Sequence, residues 1–200
     1  MTLKQFIENF DYPGSIILFG GKRAVRDNDH ELITSLGRLM GSTTKHIQFR
    51  SGNALGADEL FSKGLVEQAP TRLQVIVPFS GHRAAKNLAY DTISLDQINL
   101  ASEPEVAYHS LKNQKTTSLV NEYLVGKRNN LAMKGSYIIR DTVMVIGAQG
   151  VARVHCALFY DDLQNPKTGG TGHTMNVCKT NDIPVFDQCT WLNWLNEVNV

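Results

Sequence analysis

Short apolar runs alternate with helix-like periodicity along most of this chain. Ile16 to Phe19 is uninterrupted by polar residues and stops at Gly20-Gly21. Leu32, Ile33, Leu36, Leu39 and Met40 then recur at helical spacing, with Asn28 or Asp29 as a cap and Gly41 as the stop. His46 to Arg50 is a weaker strand pattern, followed by Ala57, Leu60, Phe61, Gly64 and Leu65 on one helical face. Leu73 to Val77 predicts a third strand, Val143 to Ile146 a fourth ended by Gly147, and Val154 to Tyr160 a fifth. Met175, Val177 and Cys178 predict a short helix, Ile183 to Phe186 a last strand, and Trp191 to Val198 a closing amphipathic helix. Strands without alternation are buried on both faces, which requires helices on each side of a mostly parallel sheet. The expected fold is therefore α/β: a Rossmann-like, doubly wound sheet in which ligands collect at the carboxyl ends of the strands.

From Ser80 to Gly135 the pattern offers no strand. Leu95, Ile98, Asn99 and Ala101 suggest one helix, and Leu119 to Leu131 a longer second one. We read residues 1–200 as a single domain with a helical excursion over about 80–135, either covering the ligand edge of the sheet or forming a dimer surface. A homo-oligomer is compatible with that excursion.

The chain has 200 residues, of which 42% are hydrophobic and 20% charged, a globular balance. Its formal net charge is +1, which speaks against charge-driven nucleic-acid binding by the whole surface and leaves room for a local anion pocket. No apolar run approaches a membrane span, and the first residues lack the layout of a signal peptide. Cys156, Cys178 and Cys189 form neither a disulfide framework nor a ligand pair, so a reduced, cytoplasmic protein is expected. His46, His109 and His155 have no metal-like spacing, and no metal is expected.

Candidate chemistry gathers where predicted strands end. Gly20, Gly21 and Arg23 follow the first strand. Ser51, Gly52, Gly56 and Asp58 follow the second. Arg128 stands in Gly126-Lys-Arg-Asn129, and Gly169, Gly170, Thr171, Gly172, His173 and Thr174 precede a helix. Glycines let a backbone approach an anion, and a helix start aims N–H groups and a positive dipole end at it. His173 in such a run can contact a phosphate or transfer a proton. Asp58 is either a helix-dipole partner or a contact to a ribose hydroxyl, and Asp141, at the predicted fourth strand, is either a strand-edge residue or a ligand partner. Neither glycine run is a P-loop or the dinucleotide fingerprint.

Taken in order, Ser51-Gly-Asn-Ala-Leu-Gly-Ala-Asp58 resembles the "SGGARGAD" signature of the SLOG superfamily, which includes YpsA-like proteins, DprA, the LOG enzymes and molybdenum-cofactor carriers. Phe19 to Arg23, Arg128-Asn129 and Gly169 to Thr174 are similar to its other turns. The resemblance implies binding of a nucleotide or nucleotide-derived phosphate ligand by Gly20, Gly21, Arg23, Ser51, Gly52, Gly56, Arg128, Gly169, Gly170, Thr171, Gly172 and Thr174. Alternatives are a LOG-type phosphoribohydrolase using Asp58, Asp141 or His173, and a carrier of a phosphorylated cofactor such as molybdenum cofactor. The LOG pattern's catalytic glutamate has no counterpart after Gly172, and Leu55 stands where the signature has arginine. Whether a reaction is catalysed stays open. The expected partner is a small phosphorylated ligand, a nucleotide-like molecule with no certain further cofactor; nucleic acid is disfavoured by the charge.

Overall fold

The computed structural model describes residues 1–198. Six strands, β1 (Ile16–Gly21), β2 (Gln48–Ser51), β3 (Leu73–Val77), β4 (Asp91–Ser94), β5 (Cys156–Tyr160) and β6 (Val185–Phe186), form one sheet in the order β4-β3-β2-β1-β5-β6. Every pairing is parallel, so the Rossmann-like α/β expectation holds. Successive side chains of β1 serve opposite faces: Ile17 and Phe19 join one buried cluster, Leu18 the other. That two-sided burial is why the run shows no alternation. Helices α1 (Leu3–Phe10), α2 (His30–Thr43), α3 (Ala57–Gln68) and α8 (Gln188–Val198) cover the first face. Helices α4 (Pro104–Leu111), α5 (Thr117–Leu124), α6 (Asn130–Ile146) and α7 (Gly169–Thr180) cover the second.

The chain winds outward from β1 to β4, then returns through α4, α5 and α6 to place β5 on the other side of β1. This reversal between β1 and β5 is a topological switch point, where the loops leaving neighbouring strands diverge and open a crevice.

Three expectations need correction, and one helix is added to them. Val143 to Ile146 is the last turn of α6, not a strand. A short apolar run reads alike as a buried strand or a buried helix segment. Gly147 does end the element, but as a helix cap: its φ is +79° and its N–H donates to the Val143 carbonyl at 2.9 Å. Asp141 therefore sits on a helix. The Ser80–Gly135 stretch does contain a strand, β4, which is a polar, half-exposed sheet edge and so lacks an apolar run. The two helices expected there also differ: Leu95–Gln97 and Leu100–Ser102 are isolated 3-10 turns, and the longer helix is broken after Leu124. There Asn129 caps α6, its Oδ1 accepting the Ala132 N–H at 2.8 Å. Finally, α1 was hidden in a four-position stripe, Leu3, Phe6, Ile7 and Phe10, behind a Thr2/Gln5 capping box.

One buried cation positions α6. Arg50, on β2, is fully buried and donates to Gln74 Oε1 at 2.8 Å, to the Ala152 carbonyl at 2.7 Å and to the Met144 carbonyl at 3.1 Å. It thus ties the carboxyl end of α6 to the sheet. Burial lowers its pKa to about 10, which still leaves it charged near neutrality. Among the described residues, no helix is long and apolar enough to cross a membrane.

Candidate functional site

The switch point opens into a cleft of about 610 Å³. Its floor is the end of β1, Gly20 and Gly21, with Phe159 of β5. One wall is the start of α7 with Gly169, Gly170, Thr171 and Thr174; the opposite side carries Arg23, Ala54 and Asp58. The roof is α6, which presents Lys134, Tyr137, Ile138 and Asp141. Those four positions are i, i+3, i+4 and i+7, one face of a helix.

The turn between β2 and α3 is built around Asp58. Its Oδ2 accepts the Gly52 N–H at 3.1 Å and the Ala54 N–H at 3.3 Å. The Arg140 guanidinium donates to the Gly52 carbonyl through Nη1. A Cβ at position 52 would overlap that guanidinium and displace it from the Gly52 carbonyl. Gly56 reverses the chain at φ +81° to start α3. The Ser51 hydroxyl is buried without a partner. The backbone donors expected to cradle a phosphate are thus spent on a side chain of the same turn.

The α7 turn is arranged similarly. The glycine run forms the first turn of α7 rather than a loop before it. Asp141 approaches it from α6: its Oδ2 lies 3.1 Å from where a Cβ on Gly170 would stand. Asp141 Oδ1 is 3.0 Å from Arg140 Nε, close enough to pair charges but not aligned as a hydrogen bond, so Nε has no hydrogen-bond partner. Lys22 secures the helix start, its Nζ donating to Thr168 Oγ1 at 2.6 Å and to the Thr168 carbonyl at 3.0 Å. Thr174 turns its hydroxyl back onto the Gly170 carbonyl at 2.9 Å.

Burial dominates the electrostatics. It raises the pKa of Asp58 even against Arg140 and the two amides. It raises Asp141 to about 6, opposed by Arg140 and reinforced by the Asp58 charge. Two carboxylates at the base of a cleft repel a phosphate group placed against them, which leaves the exposed Arg23 and Lys134, unpaired among the described residues, as the cations a phosphate can meet in this cleft. Among the described residues, no three His, Cys, Asp or Glu side chains gather as a metal-holding group.

Several residues singled out from sequence stand elsewhere. His173 faces the α6–α7 interface, its Nε2 2.9 Å from Thr142 Oγ1, and burial lowers its pKa to about 4. It does not line the cleft. Gly172 packs against the Lys167 backbone. Arg128 lies in a second, wider groove of about 950 Å³ with Pro78, Phe79, Asp96, Tyr123, Lys127 and Met133. That groove runs along the start of α6, and its Phe79 packs edge-on against His82, which in turn packs against Tyr137 of the first cleft. Sequence reasoning missed Lys134, Tyr137 and Arg140. The signal that would have found them is the polar stripe Lys134, Tyr137, Asp141 at helical spacing, obscured once Val143 to Ile146 is read as a strand. A third cleft of about 470 Å³ lies beside Trp191 and Leu192 on the other side of β5, away from Gly169 and Gly170.

No family model matches the chain, and no curated protein matches it. Among solved structures, the chain is similar to DNA processing protein A from Helicobacter pylori, described by its single-stranded DNA binding mode. The TM-score is 0.53 at 13% identity, over 88% of this chain and 66% of that one. The chain thus spans just under two-thirds of that protein's length, and at this identity the likeness shows the fold.

These findings correct the expected partner. A small phosphorylated, nucleotide-like ligand, with a LOG-type hydrolase or a cofactor carrier as alternatives and nucleic acid disfavoured, does not stand. The fold it matches is that of a single-stranded DNA binder. The phosphate cradles themselves are filled by Asp58 at one turn and faced by Asp141 at the other.

Proposed function

We propose that this chain binds single-stranded DNA along the carboxyl edge of its sheet, across the start of α6. What carries the reading is the pairing of two open grooves on that helix, each with an unpaired cation and an aromatic side chain. Lys134, Arg23 and Tyr137 line one; Arg128, Phe79 and Tyr123 line the other. Backbone phosphates and unstacked bases need this combination.

The net charge of +1 does not oppose it, because the cations are unevenly used. Lys22, Arg38, Arg83, Lys127 and Arg140 pair with carboxylates. Among the described residues, Arg23, Lys134 and Arg128 form no ion pair and are exposed. Asp96 in the second groove is held by the Ser80 N–H at 2.8 Å and the Ser94 hydroxyl at 3.0 Å. The in-order glycine and arginine motifs, together with the fold shared with a DNA processing protein, support placing the chain with the SLOG superfamily as part of this reading.

The test is fluorescence anisotropy with an oligodeoxythymidylate of about fifteen nucleotides at several salt concentrations. Three phosphate contacts give a slope of log K against log salt near ~−2, and each of Arg23→Ala, Lys134→Ala and Arg128→Ala lowers its magnitude by about 0.7. Absence of binding, or binding insensitive to salt and to all three changes, refutes the reading.

A further inference from the structure

Asp141 is the acid of the first cleft whose oxygens accept no hydrogen bond among the described residues; Arg140 faces it as a charge alone. Asp58 beside it accepts two backbone N–H groups. The Asp141 side chain is 10% exposed, and among the described residues no hydrogen bond reaches it. Its nearest cation, Arg140 Nε, lies at 3.0 Å without alignment. Gly170 keeps the approach to Oδ2 open, since a Cβ there would stand 3.1 Å away. The Asp141 oxygens reach the open cleft instead of being sealed in the core, so they are placed for a donor that comes from outside.

The cleft also supplies a flat wall. The exposed Arg23 guanidinium lies 5.6 Å from the Tyr137 ring centroid, and guanidinium and aromatic planes are surfaces on which bases stack. The donor must therefore belong to something planar that the Asp141 oxygens can read at its edge.

Resting on the reading of this site as a single-stranded DNA groove, we propose that Asp141 receives the Watson–Crick edge of a guanine, making the cleft a guanine-preferring subsite. An ionised carboxylate only accepts. Guanine N1–H and the N2 amino group are adjacent, coplanar donors, so both carboxylate oxygens are engaged in a forked, charge-assisted pair. Adenine and cytosine set a ring acceptor beside their amino group, and thymine sets its one N–H between two carbonyls. Each gives one attractive contact with at least one repulsive one.

The experiment compares an oligodeoxythymidylate of about fifteen nucleotides with the same strand carrying one central deoxyguanosine, deoxyinosine or deoxyadenosine. With the unmodified protein, deoxyguanosine tightens binding about tenfold. Deoxyinosine, which keeps N1–H and lacks the amino group, gives a smaller gain, and deoxyadenosine gives none. Asp141→Asn presents an amide that clashes with one guanine donor, and Gly170→Ala crowds Oδ2; in both, the guanine-to-thymine affinity ratio falls to near one. Thermal melts show that both variants are folded, and the inosine comparison needs no variant. If the thymidylate binds with the expected salt dependence but deoxyguanosine brings no gain, or if the gain survives Asp141→Asn, the guanine subsite is wrong and the groove assignment stands. If no strand binds, both fall.

Discussion

Replacing Asp141 by asparagine should stabilise the protein, and only above a definite pH. Burial raises this carboxyl from 3.8 to about 6, so the folded protein holds the proton more tightly than the unfolded chain. Between those two values the folded state carries more bound protons, and stability falls as pH rises. Above about pH 6 the full cost of the ionised, buried group is present; below about pH 4 it is absent. The interval corresponds to about 3 kcal/mol. Asparagine is nearly isosteric and never charges, so it removes that cost. For a domain near this size, ~1 kcal/mol moves the melting temperature by about 2–4 °C. Asp141→Asn should then melt roughly 6–12 °C higher than the parent at pH 8 and at the same temperature near pH 4. A competing effect is built into the structure: Arg140 is buried and loses its neighbouring charge. If that effect dominated, the variant would be destabilised, as when a buried ion pair loses one partner. Thermal denaturation followed by circular dichroism from pH 4 to pH 8 separates the two. A variant no more stable than the parent at pH 8 refutes the claim that Arg140 does not offset the cost of burying the Asp141 charge.

Arg50→Ala should destabilise by about 3 kcal/mol or more, measured by urea unfolding, because the Met144 carbonyl at the end of α6 and the Ala152 carbonyl beyond it lose a buried charged donor. Arg50→Met, which fills the space without charge, should cost less than Arg50→Ala in the same assay. Asp58→Ala should destabilise by about 1–3 kcal/mol in urea, since the Gly52 and Ala54 N–H groups lose their acceptor. The His173 imidazole, lowered to about 4 by burial, should show no titration in its NMR shifts between about pH 5.5 and 8.

The parts of this fold that can be read from sequence are those buried on both sides. β1, β3 and β5 are apolar runs because helices cover each face, and their order predicts a parallel sheet with its site at the carboxyl edge. β4 escapes because an edge strand needs little burial: Asp91 and Thr92 are exposed. Val143 to Ile146 misleads because a buried helix end and a buried strand share the same residues. That one error conceals the roof of the site, since Lys134, Tyr137 and Asp141 share a face only if the helix continues through them. The glycine turns are where sequence places them, yet their chemistry is not legible from spacing. Gly52 and Ala54 N–H groups look free along the chain and are consumed by Asp58 only in three dimensions. Arg128 looks like a companion of Arg23 in motif order and occupies a different groove, because the break between α5 and α6 carries it along the start of α6.

A polymer lying across two grooves is distinguished from a small molecule in one by how affinity depends on length. Isothermal titration with thymidine monophosphate and with oligothymidylates of increasing length measures this directly. Affinity should rise steadily with length until the strand spans both grooves of α6, with the mononucleotide binding at least about a hundredfold more weakly than the longest strand. A mononucleotide that binds as tightly as the longest strand would contradict it.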